Sequence, residues 1–154
     1  MNFFENKRIL ITGGSGFVGT NLLKRLSKFN CQLKATIHES EPQFEDKKIQ
    51  YIKTDLTSRE DCQNITKDID LIFMCAANTS GAAVIQNNPL AHLTPNILMN
   101  LLLLESAYEN NVAKALFISS NTVYPVTDYP VKEKDVTNEF YHKYFIKRHT
   151  NYED

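Results

Sequence analysis

Short apolar runs alternate along this chain with longer segments whose apolar residues recur every three or four positions. Ile9, Leu10 and Ile11 form the first run, brief and apolar enough for a buried strand. Phe17, Val18, Leu22, Leu23 and Leu26 return at helical spacing, which predicts a helix ending near 28–30. The pattern then repeats. Residues 32–37 (QLKATI) alternate as a second strand and 49–53 as a third, with a polar loop containing Pro42 between them. Ser58, followed by Asp61, reads as the cap of a short helix over 59–67. Residues 70–77 (DLIFMCAA) are apolar almost throughout, as expected of a strand covered on both faces in a parallel sheet. A loop of small and polar residues spans 78–88, and Pro89 suits the first turn of a helix that runs to about Asn110. The centre of that helix is apolar all round, which predicts burial, chiefly as core, against the sheet or a neighbouring subunit. Residues 115–119 (ALFIS) make the fifth strand.

Strands that alternate with helices at this spacing predict an α/β fold, an open doubly wound parallel sheet with right-handed crossovers. Ligands of such sheets bind outside the carboxyl ends of the strands. Four clusters fall there: the turn after the first strand, Asp55, the segment from Ala76 to Asn78, and the segment from Ser119 to Thr122. In the first of them Gly13, Gly16 and Gly19 stand three residues apart between strand and helix. Spacing of this kind gives each glycine a task. Gly13 turns the chain, Gly16 admits a pyrophosphate to the backbone, and Gly19 lets the helix pack on the strand. The alternative is an ordinary glycine turn.

Composition narrows the field. A chain of 154 residues with 42% apolar side chains fits one domain, residues 1–154, with a real core. Its 17 basic and 18 acidic side chains nearly cancel, which leaves no electrostatic footprint for nucleic acid. The longest apolar run, 97–104, is too short to span a membrane, and MNFFENKR lacks the apolar core of a secretory signal. Cys31, Cys62 and Cys75 have no paired metal spacing, so the expectation is reduced, buried thiols in a cytoplasmic protein without a metal site.

Thr12-Gly13-Gly14-Ser15-Gly16-Phe17-Val18-Gly19, Asp55-Leu56-Thr57, Ala76-Ala77-Asn78 and Ser119-Ser120-Asn121-Thr122-Val123-Tyr124-Pro125, in this order and spacing, resemble the extended short-chain dehydrogenase/reductase group. These are the NAD(P)-dependent nucleotide-sugar epimerases and dehydratases. The segment from Ala76 to Pro89 and the ending Val123-Tyr124-Pro125 are similar to the GDP-fucose synthase relatives among them. The resemblance implies a Rossmann-type domain in which Gly13, Gly16, Phe17, Val18 and Gly19 hold the cofactor pyrophosphate. Asp55, with Leu56, would contact adenine, and Ala76, Ala77 and Asn78 would line the cofactor near the nicotinamide ribose. It also implies that Ser120 donates to the substrate oxygen undergoing hydride transfer and that Thr122 touches substrate. A strand-end hydroxyl can stabilise a developing alkoxide, although a turn serine can equally satisfy its own backbone. Asp55 likewise has an alternative, capping the next helix.

Cofactor choice rests on the end of the second strand, where an acid reads the ribose hydroxyls of NAD and a base accommodates the phosphate of NADP. His38 stands there, preceded by Ala35-Thr36-Ile37 and followed by Glu39, and the reading favours NADP over NAD.

The resemblance breaks toward the end of the chain. Its proton-transfer pair is a tyrosine with a lysine four residues later, but Tyr144 is followed at that spacing by Arg148, and Lys147 is three away. Lys147 still shares a helix face with Tyr144 at that distance. Family members are about twice as long, and the half that supplies their substrate lobe is missing here, with 131–154 left unassigned to any element. Two expectations follow. One is a domain of an oxidoreductase, epimerase or dehydratase that acts on a nucleotide sugar. The other is a silent NAD(P)-binding module, or a fragment, without turnover. Members often dimerise through the helix that corresponds to 89–110, so a homodimer is the expected assembly.

Overall fold

Every side chain of β1 (Arg8–Thr12) from Ile9 to Thr12 is buried, and the sheet is built outward from that strand. The computed structural model describes residues 2–79, 87–88, 90–119, 124 and 129–135. Within them β2 (Gln32–Ile37), β3 (Ile49–Lys53), β4 (Leu71–Met74) and β5 (Lys114–Phe117) join β1 in one parallel sheet of order β3-β2-β1-β4-β5. Three helices accompany it: α1 (Phe17–Leu26), α2 (Arg59–Ile65) and α3 (Leu90–Glu109). Ile11 pairs with both Ala35 and Phe73, so β1, β2 and β4 run side by side almost to their carboxyl ends. The Rossmann-like architecture expected from the alternation is the one found.

Period-two burial sorts the core into two layers. Ile9, Ile11, Leu33, Ala35 and Leu71 face Leu23 and Leu26 of α1. On the other face Leu10, Ile72 and Met74 meet Cys62 and Ile65 of α2 and Leu102, Leu103 and Ala107 of α3. Arg59 and Glu105 form an ion pair at 2.7 Å between α2 and α3, and the Asn110 amide donates to Thr66 Oγ1 at 2.8 Å. Phe4 closes the α1 side of the sheet, its ring 5.8 Å from Phe29 and 6.3 Å from Phe73.

Element boundaries differ from the expectation in instructive ways. β4 stops at Met74 instead of reaching Ala77, because the next two N–H groups leave the ladder and donate to the Thr12 hydroxyl. α1 ends at Leu26, before 28–30. α3 is not core all round: Leu102, Leu103, Ser106 and Ala107 are buried, whereas Leu93, Ile97, Leu101 and Leu104 are exposed. The helix packs by one side on the sheet and α2, and a run of four leucines covers more than one side. β5 likewise leaves Leu116 and Phe117 about half exposed. Of the three free thiols only Cys62 is fully buried, and burial pushes it up to about 11; Cys31 and Cys75 are half-buried. No helix among the described residues is long and apolar enough to cross a membrane. Ser119–Asp154 forms a second unit, in which Glu133–Asp135 makes a single 3-10 turn.

Candidate functional site

The turn that leaves β1 is held from both sides by hydroxyls and main chain. Gly13 has φ +68°, a region that favours glycine, and a Cβ there would lie 2.8 Å from the Ala76 Cα. A Cβ on Gly19 would run into the Gly13 carbonyl oxygen, so this glycine is what lets α1 start so close to the turn. Thr36 of β2 accepts twice, from the Gly13 N–H on its hydroxyl at 3.1 Å and from the Gly14 N–H on its carbonyl at 2.7 Å. From the α1 side the Thr20 hydroxyl donates to the Gly14 carbonyl at 3.0 Å. The Gly16 N–H closes the turn on the Gly13 carbonyl at 3.0 Å.

These bonds decide where an anion can sit. With the N–H groups of Gly13, Gly14 and Gly16 engaged, the donors that point outward come from the first turn of α1, Phe17 and Val18 among them. The N-cap is Gly16, which has no side chain to satisfy them, and the first turn carries no acid to offset the positive helix end. Around Gly16 a Cβ would meet only the Gly13 carbonyl oxygen, at 3.3 Å. The approach to the helix end is open. Such a turn fits the pyrophosphate of a dinucleotide.

Beyond the turn lies a cleft of about 480 Å³ at the carboxyl ends of β1, β2, β3 and β4. Gly13, Gly16, His38, Asp55, Leu56, Ala76, Ala77 and Asn78, all anticipated from the sequence, line it together. Phe17 and Val18 contribute main chain to its rim while their side chains are exposed, and Gly19 is buried beneath. Asp55 does not cap α2. Its carboxylate accepts from the Thr57 N–H at 2.9 Å and the Thr57 hydroxyl at 2.6 Å, which hold the carboxyl below its ordinary value, while Ser58 caps the helix by accepting from the Asp61 N–H at 3.3 Å. The segment after β4 is fixed by the Thr12 hydroxyl, which accepts from the Cys75 and Ala76 N–H groups at 3.1 Å each. Burial raises the pKa of the Cys75 thiol beside it.

Sequence reasoning missed Thr12, Thr20 and Thr36 as clamps, and Pro95 and Met99 of α3 as cleft wall. Ser120, Thr122, Tyr144 and Lys147 lie outside the described residues.

The model of the NAD dependent epimerase/dehydratase family matches residues 9–150. The chain belongs to this family. Among epimerase/dehydratase relatives it is 28% identical over 142 residues to GDP-mannose 3,5-epimerase of Arabidopsis thaliana, covering 85% of this chain and 37% of that one. It is 24% identical over 151 residues to GDP-L-fucose synthase of Sinorhizobium fredii, covering 92% and 44%. Its structure superposes on a UDP-N-acetylglucosamine 4-epimerase of Methanobrevibacter ruminantium with a TM-score of 0.74 at 28% identity, covering 85% of this chain and 44% of that one. The chain spans less than half the length of these relatives. The cofactor of the epimerase/dehydratase family is a nicotinamide dinucleotide.

Proposed function

We propose that the cleft holds a nicotinamide dinucleotide and that this chain forms the cofactor-binding part of an enzyme that transfers hydride to and from a nucleotide sugar. The observation that carries the reading is the turn itself: its inner N–H groups are engaged, and the helix-end donors open toward the cleft that the strand ends line. A bound nicotinamide would supply the hydride acceptor and donor. Gly13, Gly16 and the first turn of α1 would take the pyrophosphate, Asp55 and Leu56 the adenine side, and Ala76, Ala77 and Asn78 the nicotinamide ribose. Ser120 would donate to the sugar oxygen, Thr122 would contact substrate, and Tyr144 with Lys147 would move the proton; these four roles rest on the resemblance.

Within this reading NADP is preferred to NAD. β2 ends on Ile37, so its last residue offers no carboxylate to the ribose, and His38 follows in the cleft wall, with Glu39 beside it. The exposed apolar side chains of α3 support a homodimer through that helix, which light scattering of the purified chain checks.

Thermal unfolding with NAD, NADP or neither tests the cofactor reading, because a ligand that binds only the folded state raises Tm by mass action. A larger shift with NADP is expected; no shift with either overturns the reading. A second reading is a dinucleotide-binding module without turnover, favoured by Arg148 standing where the resemblance has a lysine. Binding of dinucleotide with no conversion of GDP- or UDP-sugars would select it, whereas turnover abolished by Ser120→Ala would select the enzyme.

A further inference from the structure

Asn96 of α3 spends its whole side-chain amide on main chain. Its Oδ1 accepts from the Asn78 N–H at 2.8 Å, and its Nδ2 donates to the Asn78 carbonyl at 2.9 Å and to the His92 carbonyl at 2.7 Å. One acceptor and two donors are used together. The His92 Nδ1 lies 3.2 Å from the same Asn78 carbonyl, so the loop residue is gripped by two neighbouring turns of the helix.

The grip falls where the fold has no ladder to offer. β4 ends at Met74, and the Thr12 hydroxyl fixes only the Cys75 and Ala76 N–H groups. Ala77 and Asn78 are exposed and line the cleft with no strand partner. The helix itself is loosened at this level, since Pro95 has no N–H to give the Ala91 carbonyl. Pro95 and Met99 line the cleft on either side of Asn96 in the sequence. Asn96 thus joins a free loop end to an interrupted helix at the point where both face the cleft. Aspartate has no proton to give the two carbonyls, and leucine would leave three main-chain groups unpaired.

We propose that Asn96 is a positioning residue: it sets the segment from Ala76 to Asn78 against α3 and so shapes the nicotinamide side of the cleft, leaving the turn and the adenine side to Thr36 and Thr20. The assignment rests on the cofactor reading above. ADP separates the two, because it carries the adenosine and the pyrophosphate and lacks the nicotinamide ribose.

The test is the affinity of the full chain for ADP and for the preferred dinucleotide, by calorimetry, in the wild type, Asn96→Ala and Asn96→Asp. Both variants are expected to bind dinucleotide about tenfold more weakly, the size of one or two net hydrogen bonds, while ADP affinity stays within about twofold. If dinucleotide affinity is unchanged, or if ADP and dinucleotide weaken together, the positioning role is overturned while the cofactor reading stands. If the wild type binds neither ligand, the cofactor reading falls and takes this inference with it.

Discussion

The sheet has a cavity at each end, and the two are similar in size and opposite in chemistry. At the amino ends of the strands about 400 Å³ is lined by Arg8, Cys31, Lys34, Lys48 and Asp68 among others. There the charges are already matched, since Arg8 pairs with Asp70 at 2.9 Å and with Asp68 at 3.3 Å, and Lys48 donates to the Ser27 carbonyl at 3.0 Å. At the carboxyl ends the cleft has no ion pair among the described residues; it has a glycine turn, three threonine hydroxyls and a helix end whose donors face outward. Volume does not distinguish the two. What does is whether polar groups have been left a task, and only the carboxyl end leaves main-chain donors in one direction.

The sharpest way to break the contrast is to fill the turn. Gly19→Val should destabilise the chain by a few kcal/mol through overpacking against the Gly13 carbonyl and abolish any dinucleotide-dependent rise in Tm. Next comes Thr36→Val, which leaves the Gly13 N–H without its acceptor and should cost about 1–3 kcal/mol in denaturant unfolding, with Thr36→Ser restoring most of it. Equal stability of the valine and serine variants would show that the hydroxyl clamps nothing.

The amino end should respond differently. The Arg8 guanidinium holds the Asp70 carboxyl at about 2, below its ordinary 3.8. A depressed carboxylate stabilises the fold above its unfolded value and loses that stabilisation as pH falls through the folded one. Stability should therefore decline as pH drops from 3.8 toward 2, and Asp70→Asn should flatten the curve in that window while leaving dinucleotide affinity unchanged. The smallest effect is expected from alkylating Cys31, whose thiol burial raises. The reaction should be slow at neutral pH, and the product should bind dinucleotide as the unmodified chain does. A loss of binding would mean that the two ends are coupled through β2.

Legibility in the sequence followed how local each signal was. The turn, the strand order of the α/β sheet and the Ser58 cap were readable, because glycine spacing, apolar runs and a serine three residues before Asp61 are near-neighbour patterns. The outer side of α3 was not, since Leu101 to Leu104 carry no polar position to mark which side faces solvent. Thr12, Thr36 and Asn96 were invisible for a different reason. Their partners lie 18 to 64 residues away, and a threonine in a strand looks the same whether its hydroxyl packs or accepts. Asp55 shows the intermediate case: its place at the end of β3 was legible, but the Thr57 hydrogen bonds that close its turn were not.

The threonine clamps have a consequence for how the loops breathe. The amides of Gly13, Gly14, Cys75 and Ala76 belong to no regular ladder, yet each donates to Thr36 or Thr12 across the sheet. Their deuterium uptake is governed by separation of β1 from β2 and from β4, so these four loop protons exchange on the slow timescale of the sheet itself.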